Sequence, residues 1–456
     1  MPSEQLQVVR QLAQLAAEAG GRAYYVGGYV RDRLLGLNNK DIDIEVHGLY
    51  PEQLERILNT LGECNAIGRN FGIYMLKHYG IDIAMPRSEI ATGRGHRDFQ
   101  VYVDPFLGME KASARRDFTI NAMAEDILTG EILDYYGGRH DLSSGILRHV
   151  NSSSFTEDPL RVLRAAQFAA RFGFTVAAET VSLCSGMDLQ ALPCERIMEE
   201  LKKALLKASH PSVFFTVLRT MKQLDFWFPE VMALTGIRQD AVFHPEGDVW
   251  NHTMLVLDAA ATLRPLAQEP LAFMLSALAH DFGKVSTTEQ VGEHIRAIGH
   301  EAAGVPLAES FVRRLSGDRR LCRYVANMTE LHMRPNLMEG QKAGQKAFSR
   351  LFDLSVCPQD LLLLSKADRL GQAISLDYSQ TEAFLKQRLQ EYERIMALPY
   401  VTGADLTASG LYPGPYFSKA LAFAHKLRLS GVPKQQALQQ TLGYVRSELK
   451  DQIPHP

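Results

Sequence analysis

The sequence predicts an α+β fold, in which a mixed sheet with helices forms the N-terminal part and the rest of the chain is all α. The chain has 456 residues, 46% of them hydrophobic and 22% charged, which suits a globular protein with several cores. Short apolar runs alternate with helical patterns up to about residue 140, and from about residue 145 the apolar residues keep a helical period. These changes predict four modules, 1–144, 145–226, 227–395 and 396–456.

Charge and cysteine usage narrow the class of protein. The net charge of −3 gives no global basic footprint, so any nucleic-acid surface has to be local. The five cysteines are scattered and none belongs to a C-x-x-C pair, which indicates free thiols in a reducing cytoplasm. The N-terminal pattern is an amphipathic helix rather than a signal peptide, and no apolar run reaches membrane length, so we expect no membrane partner.

The stretch 24–45 carries the strongest local signal in the chain. A short apolar strand leads into Gly27 and Gly28, and a helical pattern follows that closes at Gly36. Free backbone N–H groups at a helix N-terminus bind phosphate, and glycine lets a ligand approach the main chain. Arg31 in the first helical turn can add a fork-shaped contact to a phosphate oxygen.

The strand that follows, residues 41–46, alternates acidic and aliphatic side chains. Asp41, Asp43 and Glu45 are therefore predicted to share one face, on which neighbouring Cα atoms lie about 6.6 Å apart. Asp41 and Asp43 can then hold the same Mg²⁺ ions, and a pair of such ions stabilises the attacking and leaving oxygens of a phosphoryl transfer. For an isolated Asp-x-Asp, a solvated sheet face is the plain alternative.

The ordered combination GGYVRDRLLG…DIDIEV, residues 27–36 and 41–46, resembles the class II tRNA nucleotidyltransferase and bacterial poly(A) polymerase family. These enzymes belong to the DNA-polymerase-beta-like nucleotidyltransferases, which implies that fold for the first module. A second stretch, Arg115–Ala122, RRDFTINA, looks like the family's second motif. The resemblance covers nearly the whole chain.

The resemblance implies roles for residues of both motifs. It implies that the catalytic metal ions and the triphosphate are held by Asp41, Asp43, Gly28, Arg31 and Arg116. The guanidinium of Arg116 can offer two donors to phosphate oxygens, and Asn121 can bond a sugar or the backbone. Taken alone, a helix N-cap by Asp117 with exposed arginines would explain the second motif equally well.

Asp82 is the candidate third carboxylate of this site. It lies inside a predicted strand, Ile81–Met85, that follows another at Ile73–Lys77. Similar enzymes often carry an acid near this position, so Asp82 either completes the metal site or is a capped or salt-bridged edge aspartate. The next segment, Arg87–Phe99, is rich in glycine and charge and is predicted to be a mobile loop.

The motif Glu157–Arg164, EDPLRVLR, predicts a helix start in the second module. The spacing of Asp158, Arg161 and Arg164 places these side chains on one side. Similar enzymes use this face as a protein template for the incoming base, and an intrahelical salt bridge is the alternative. Cytosine and adenine both present an exocyclic amine beside an unprotonated ring nitrogen, so an Asp acceptor and an Arg donor select CTP and ATP. Gln167 stands where many relatives carry another arginine.

Four residues of the third module form the pattern His…His-Asp…Asp, at His252, His280, Asp281 and Asp368. Their order on apolar helices resembles the HD metal-dependent phosphohydrolase domain. His300 and His332 are extra histidines at places where such domains often have them. Imidazole with carboxylate suits Ni²⁺, Mn²⁺, iron or zinc better than Mg²⁺. Packing or surface positions are the alternative, because the chain has 14 histidines.

The last module has a modest basic bias. Residues 401–456 carry six lysines and arginines against three acids, interleaved with tyrosines. The Gly-x-Asp-Leu and Pro-Gly-Pro spacing resembles the family's tRNA-holding segment, and such a composition suits backbone contact and base stacking. A solvated helical face is the alternative.

Together these motifs are identified as those of a cytoplasmic tRNA nucleotidyltransferase of the CCA-adding type with a fused HD phosphohydrolase domain. The resemblance implies tRNA as partner, CTP and ATP as substrates, Mg²⁺ at the first site, Ni²⁺ or Mn²⁺ at the second, and no DNA. Alternatives within the class are a poly(A) polymerase, with which the chain shares Gly-Arg-x-Phe at 68–71, and an enzyme that adds only CC or only A. From other classes, the alternatives are an HD phosphohydrolase with a non-catalytic RNA-binding head and a nucleotide-signalling synthetase-hydrolase.

Overall fold

The chain folds into two compact units. A computed structural model describes residues 2–39, 41–68, 72–91, 99–373, 377–449 and 452. The first unit comprises Met1–Ala204 and Val213–Phe226, and the second comprises Leu205–Ser212 and Trp227–Pro456. The predicted α+β class is confirmed, because the first unit contains a mixed sheet with helices and the second is mainly helical. The four predicted modules and their boundaries stay predictions.

Strands of the first unit form one main sheet and two separate pairs. Their bounds are β1 Arg22–Val26, β2 Asp43–His47, β3 Cys64–Gly68, β4 Ile73–Leu76, β5 Ile81–Ala84, β6 Arg87–Ala91, β7 Phe99–Val103, β8 Ala124–Asp126, β9 Ile132–Leu133, β10 Ile146–Leu147 and β11 Thr175–Val176. Within the described residues, seven strands make the main sheet in the order β3-β4-β5-β2-β1-β8-β9. In that sheet β2 and β5 are parallel, and the other neighbours are antiparallel.

Helices of the first unit follow the predicted apolar patterns. They are α1 Pro2–Glu18, α2 Gly28–Leu34, α3 Pro51–Leu61, α4 Met109–Ser113, α5 Gly138–Ser144, α6 Ser152–Thr156, α7 Leu160–Phe172, α8 Ala178–Ser185, α9 Cys194–Lys207 and α10 Ser212–Thr220, with a 3₁₀ turn at Thr119–Asn121. α1 fully buries a stripe that includes Val9, Leu12 and Ala16. Proline at the first position of α3 fixes a helical φ where no N–H is needed.

Two predicted elements of the first unit differ from the structure. β2 begins at Asp43, so Asp41 lies just ahead of the strand, and its N–H donates to the side chain of Asn39 at 2.9 Å. The prediction of a loop over residues 87–99 is wrong for its first and last residues, because these belong to β6 and β7, which pair as an antiparallel hairpin. Pairing with a partner strand outweighs the loop-like local composition. Residues 69–71 of the Gly-Arg-x-Phe stretch and 92–98 of the predicted loop lie outside the described residues.

The second unit is built from helices and one hairpin. Its elements are α11 Pro229–Met232, α12 Val249–Leu263, α13 Pro270–Ala279, α14 Lys284–Thr287, β12 Thr288–Val291, β13 His294–Ala297, α15 His300–Leu315, α16 Arg319–Leu331, α17 Arg334–Gly340, α18 Gln345–Leu354, α19 Pro358–Leu370, α20 Ser379–Ala397, α21 Gly403–Ala408, α22 Tyr416–Leu429 and α23 Lys434–Glu448, with a 3₁₀ turn at Arg264–Leu266. The hairpin β12–β13 and the short pair β10–β11 interrupt the predicted all-helical part.

The core of the second unit lies around α12 and α13. Every residue of α13 from Ala272 to Ala279 is buried, which explains its nearly uniform apolar sequence. Glycine at 283 permits a close approach here, because a Cβ at Gly283 would lie 2.0 Å from the carbonyl oxygen of His300. Of the helices in the described residues, none combines the length and apolar character needed to cross a membrane.

The turn between β1 and α2 requires glycine at position 27. Gly27 has φ of 67° and ψ of −132°, a combination that residues with a Cβ avoid. A Cβ at Gly27 would also lie 2.7 Å from Nη1 of Arg116 and 3.8 Å from Oδ2 of Asp43. The turn therefore holds the main chain directly against a cation and an acid of the first unit.

We predict that Gly27→Ala lowers the free energy of unfolding by about 2–3 kcal/mol, because backbone strain and the clash with Arg116 add together. Gly36→Ala is the matched control, since Gly36 has φ of 69° but an added Cβ would meet nothing within 4 Å. It is expected to cost about 1 kcal/mol. Urea denaturation of both variants measures the difference, and equal losses would contradict the close approach of Arg116.

Candidate active sites

A pair of acids on the two parallel strands marks the first site. Asp43 of β2 lies in register with Asp82 of β5. Partner Cα atoms on neighbouring strands are about 4.8 Å apart, so the two carboxylates extend from the same side of the sheet. Both line a cavity of about 560 Å³. The same cavity is lined by Arg116, Asp158, Arg161 and Arg196.

The carboxylates of this site repel one another. Partial burial raises the pKa of Asp43, Arg116 opposes that effect, and the charges of Asp82 and Asp41 raise the pKa further. A divalent cation would relieve this repulsion, and carboxylates are the ligands that Mg²⁺ prefers, so the residues fit such an ion. Within the described residues, sets of three possible ligand atoms that all lie within 4.8 Å of one another occur only in the second unit. The described acids of the first unit form no such set, so their carboxylates are spaced more widely.

Arg116 is anchored at the cavity by Glu45. Its Nη2 lies 3.4 Å from Oε2 of Glu45, whose Oε1 lies 2.8 Å from Nε2 of His47. Burial alone would raise the pKa of Glu45, but the bonds with His47 and Arg116 hold it below its usual value. The third acid of the predicted acidic face therefore orients a cation. Sequence reasoning missed this role, because nothing local links residues 71 positions apart.

Arg31, which the sequence predicts to contact phosphate, is buried and bound to other residues of the first unit. It is only 4% exposed, its Nη2 lies 2.6 Å from Oδ1 of Asp32, and its Nη1 donates to Oδ1 of Asn121 at 2.6 Å. Its guanidinium also covers the rings of Phe168 and Phe172, with centroids 5.1 and 4.7 Å away. Burial lowers the pKa of Arg31 and Asp32 opposes that change. In this arrangement Arg31 positions Asn121.

Gly28 supports that arrangement as the first residue of α2. A Cβ at Gly28 would lie 3.3 Å from Nη2 of Arg31, which is tighter than normal contact. Glycine therefore leaves room for the buried guanidinium as well as for a ligand at the main chain.

Asp117 joins the second motif to α7. Its Oδ2 accepts from Nε and Nη2 of Arg164 at 2.7 and 2.5 Å, and its Oδ1 accepts from the N–H of Phe118 at 2.8 Å and from Nδ2 of Asn121 at 2.9 Å. Burial would raise the pKa of Asp117, but Arg164 and these hydrogen bonds hold it below its ordinary value. Arg164 is thus bound to a buried acid through Nε and Nη2.

Asp158 lies immediately before α7, which begins at Leu160. Its Oδ1 accepts from the N–H of Leu160 at 3.1 Å, and its Oδ2 pairs with Nη2 of Arg196 at 3.0 Å. The ion pair of Asp158 is therefore made with a residue of α9 and not along its own helix. Sequence reasoning missed Arg196, which lies 38 positions away.

Arg161 is oriented by backbone carbonyls. Its Nη1 donates to the carbonyl of Ser154 at 2.7 Å, and its Nη2 donates to the carbonyl of Arg115 at 2.8 Å. Burial lowers the pKa of Arg161, although nearby acids oppose this. Two fixed donors hold the plane of the guanidinium at the cavity wall, so Asp158 and Arg161 both line the cavity with defined geometry.

The second unit gathers the four predicted HD residues in its buried interior. Nε2 of His252 lies 3.0 Å from Oδ1 of Asp368 and 3.7 Å from Oδ2 of Asp281. Nε2 of His280 lies 3.3 Å from Oδ2 of Asp281 and 4.0 Å from Oδ1 of Asp368. Residues from α12, the end of α13 and α19 therefore meet at one point.

The extra histidines His300 and His332 lie at the same cluster. Their Nε2 atoms are 3.3 and 3.9 Å from Oδ1 of Asp281 and 3.4 Å from each other. In each of His280, His300 and His332, Nδ1 lies 2.8 Å from the carbonyl oxygen three residues earlier in the chain. That bond makes Nδ1 the donor and directs the Nε2 lone pair into the cluster, as metal-binding histidines require.

The donor set of this cluster fits a divalent transition metal. With Nδ1 as its donor, His280 presents a lone pair at Nε2 to the carboxylate of Asp281, so two acceptors face each other. Nε2 of His280 is buried and makes no hydrogen bond of good geometry within the described residues. A cation between such groups satisfies both. Imidazole and carboxylate together favour the later divalent metals.

Sequence reasoning missed Glu246 and His244, which support the cluster from one side. Oε1 of Glu246 lies 2.8 Å from Nδ1 of His252 and 2.9 Å from Nδ1 of His244. Nζ of Lys284 lies 2.7 Å from Oδ2 of Asp281. The His-Pro-Glu run ahead of α12 is the signal that could have identified the first two. Such outer groups orient the ligands and set their charge.

Protonation differs across the cluster. Burial lowers the pKa of His252, but hydrogen bonds with Asp368 and Glu246 outweigh it and raise the pKa to about 9. Burial and the charge of His280 lower the pKa of His332 to about 3. Metal binding needs neutral imidazole, so a cation at His252 has to displace a proton.

Solved structures share this fold over nearly the whole chain, and residues 23–148 match the model of the poly A polymerase head domain. The Thermotoga maritima CCA-adding enzyme complexed with tRNA is 21% identical with a TM-score of 0.64, and the match covers 96% of this chain and 95% of that chain. The Bacillus stearothermophilus CCA-adding enzyme in complex with CTP is 20% identical with a TM-score of 0.66, covering 98% and 99%. At these identities the likeness concerns the fold.

Closer sequence relatives are proteins named multifunctional CCA protein. The one from Alkalilimnicola ehrlichii is 36% identical over 396 residues, which are 83% of this chain and 92% of that protein. The one from Nitrosomonas europaea is 42% identical over 298 residues, which are 64% of this chain and 69% of that protein. With identity at this level over most of both chains, this chain belongs to the multifunctional CCA protein family.

Proposed function

We propose that this protein adds C and A nucleotides to complete the CCA end of tRNA, using CTP and ATP and no nucleic-acid template. The observation that carries the proposal is the cavity of about 560 Å³ that is lined by Asp43, Asp82, Arg116, Asp158 and Arg161. Acids for metal ions, a cation for the triphosphate and a donor–acceptor pair for the base are what template-free nucleotidyl transfer needs. All five cysteines are free thiols, which suits the cytoplasm as the location.

In this reaction the 3′-hydroxyl of the RNA attacks the α-phosphorus of the nucleotide, and pyrophosphate leaves. Dependence on a divalent metal follows from the family, and Asp41, Asp43 and Asp82 would hold ions that we propose to be Mg²⁺. When bound, such ions neutralise the triphosphate and activate the hydroxyl. The register of Asp43 with Asp82 and the raised pKa of Asp43 support this assignment.

Arg116 and the glycine turn would bind the triphosphate. Glu45 already holds Arg116 in place, so little side-chain freedom is lost when a phosphate binds. Gly28 lets the phosphates approach the main chain. Arg31 would act indirectly, because its guanidinium holds Asn121 beside this turn.

Asp158 and Arg161 would select the base. Two backbone carbonyls use two of the five N–H groups of Arg161, which leaves donors for a ring nitrogen. Asp158 would accept from the exocyclic amine of cytosine or adenine. Uracil and guanine present the opposite pattern and would leave polar groups unpaired. Arg164 would support the pair through Asp117 and not by touching the base.

A second activity, hydrolysis of phosphate esters, is favoured by the buried cluster in the second unit. Its proposed ligands are His252, His280, Asp281 and Asp368, with His300 and His332 beside them. We assign Ni²⁺ or Mn²⁺ to this site on its ligand chemistry, and nucleotides with 2′-linked or 2′,3′-cyclic phosphates as substrates. A bound metal would activate water and polarise the phosphoryl oxygen. Lys284 neutralises part of the charge on Asp281.

We predict that Asp43→Ala abolishes nucleotide addition and leaves tRNA affinity close to wild type. Loss of one metal-holding carboxylate costs roughly 4 kcal/mol of transition-state stabilisation, about a thousandfold in rate. Incorporation of labelled CTP and ATP into tRNA that lacks its 3′ end measures the rate, and a gel-shift titration measures the affinity. Asp188→Ala removes an exposed acid of the same unit and is the control. Normal addition by Asp43→Ala would refute the proposed metal site.

We predict that Asp158→Ala relaxes discrimination against UTP and GTP more than it slows addition of CTP, because the acceptor for the exocyclic amine is lost. Arg196→Ala is the matched control, since it breaks the same ion pair but leaves the carboxylate of Asp158 in place. That variant is expected to keep its selectivity. Single-turnover rates with each of the four nucleotides give the ratios. A uniform fall in both variants would mark the pair as purely structural.

We predict that His280→Ala abolishes metal-stimulated hydrolysis of 2′,3′-cyclic nucleotides, while addition of CTP and ATP to tRNA stays within a few-fold of wild type. His210→Ala is the control, because His210 belongs to the same unit and pairs with a carboxylate but is 72% exposed. Ni²⁺ and Mn²⁺ are expected to stimulate hydrolysis more than Mg²⁺ after the protein has been treated with a chelator. If wild-type protein hydrolyses these esters with none of the metals, the hydrolytic proposal fails.

A further inference from the structure

A second cavity, of about 570 Å³, opens onto the histidine cluster of the second unit. Its inner wall includes His300 and Lys284, both of which contact Asp281, at 3.3 and 2.7 Å. A ligand in this cavity would therefore reach the proposed metal ligands. The cavity is the entrance to the hydrolytic site.

Positive charge dominates the walls of this entrance. Arg238, Arg296 and Arg369 line it, and within the described residues neither Arg238 nor Arg296 forms an ion pair. The wall also carries two acids, Asp240, whose Oδ2 lies 2.8 Å from Nδ1 of His294, and Glu301, so the four lysines and arginines of the wall outnumber its acids. Two free guanidiniums beside a buried metal-ligand cluster suit an anionic ester such as a phosphate.

The outer rim of the same cavity is apolar. Phe243 and Ile298 line it and are 60% and 74% exposed. Phe243 lies on the loop before α12, and Ile298 follows β13, so the two side chains come from different segments of the rim. An aromatic ring and a branched aliphatic side chain above a cationic wall match a ligand with a flat apolar part and a phosphate.

The loop that carries Phe243 is held rigidly. The N–H groups of Phe243 and His244 both donate to the carbonyl of Asp240, at 3.1 and 2.9 Å, and the N–H of Val242 donates to Oδ1 of Asp240 at 3.0 Å. The other carboxylate oxygen of Asp240 bonds His294 of the hairpin β12–β13. The exposed ring is thus displayed by a fixed loop, so it is available for stacking at little entropic cost.

We propose that Phe243 and Ile298 form a nucleobase-binding subsite of the hydrolytic site, which selects phosphate esters that carry a base over those that do not. The inference rests on the hydrolytic activity proposed above and deepens it. A base stacked on Phe243 leaves its phosphate among the arginines and toward the ligand cluster, and the size of the cavity suits one nucleotide. Arg238 and Arg296 would bind the phosphate, and the rim would supply the discrimination.

The test compares two phosphate monoesters of secondary alcohols, adenosine 2′-monophosphate and base-free glycerol 2-phosphate, with the full chain and Ni²⁺ or Mn²⁺. In Phe243→Ala we expect the ratio of kcat/KM for the nucleotide to that for the base-free ester to fall roughly tenfold, from lost stacking. Phe243→Trp keeps an aromatic face and is expected to restore most of the ratio. Val242→Ala is the control, because Val242 is 70% exposed on the same loop and is not among the described residues that line the cavity.

Two outcomes would overturn the subsite. An equal fall of kcat/KM for both esters in Phe243→Ala would give the ring a purely structural role in its loop, and unchanged values for both esters would remove its role altogether. If wild-type protein hydrolyses neither ester, the proposed hydrolysis fails by itself, and calorimetric titration with adenosine 2′-monophosphate decides the subsite. Binding that weakens in Phe243→Ala but not in Val242→Ala supports it, and equal binding refutes it.

Discussion

The ion pair between the buried Asp117 and the partly exposed Arg164 is the constraint on which the first site depends. Four hydrogen bonds use the acceptor capacity of the Asp117 carboxylate. Two N–H groups of Arg164 donate to one oxygen, and the N–H groups of Phe118 and Asn121 donate to the other. Removing Arg164 would leave the carboxylate of Asp117 buried without its cation, which is destabilising. Because the native pKa of Asp117 lies below the ordinary carboxyl value, this stabilisation is complete above the ordinary value and is lost as the pH falls through the native one.

That pair sets the shape of a cavity that it does not line. Asp117 directly follows Arg116, and Arg164 lies one helical turn after Arg161, so each member of the pair holds a neighbour at the cavity wall. Asn121 extends the network to Arg31 and so to α2. The glycine-turn motif, the Arg-Arg-Asp motif and the Glu-Asp-x-x-Arg motif are thus parts of one hydrogen-bonded network. Their joint presence in the sequence has a structural reason beyond the chemistry of each.

Local periodicity predicted the fold class, and the resemblance to known families singled out the acids and histidines that lie together, but neither predicted the partners of the arginines. A period of two put Asp43 on an exposed face, and apolar helices put His280 and Asp281 in a core. An arginine in a sequence looks like a free donor. Here Arg31 and Arg164 are bound to buried groups from segments 90 and 47 positions away, and no local pattern encodes such pairs. The hairpin of β6 and β7 was missed because pairing between its two strands outweighs their loop-like local composition.

The two sites hold their carboxylates in opposite electrostatic settings. At the first, partial burial and neighbouring acids raise the pKa of Asp43, so a divalent cation would relieve the repulsion among the carboxylates. At the second, burial is outweighed by the histidines and Lys284, which hold the pKa of Asp281 far below its usual value, and backbone carbonyls orient the imidazoles in advance. The second site would thus hold a divalent ion with ligands that are already ordered, whereas the first would gain most from an ion that neutralises its acids.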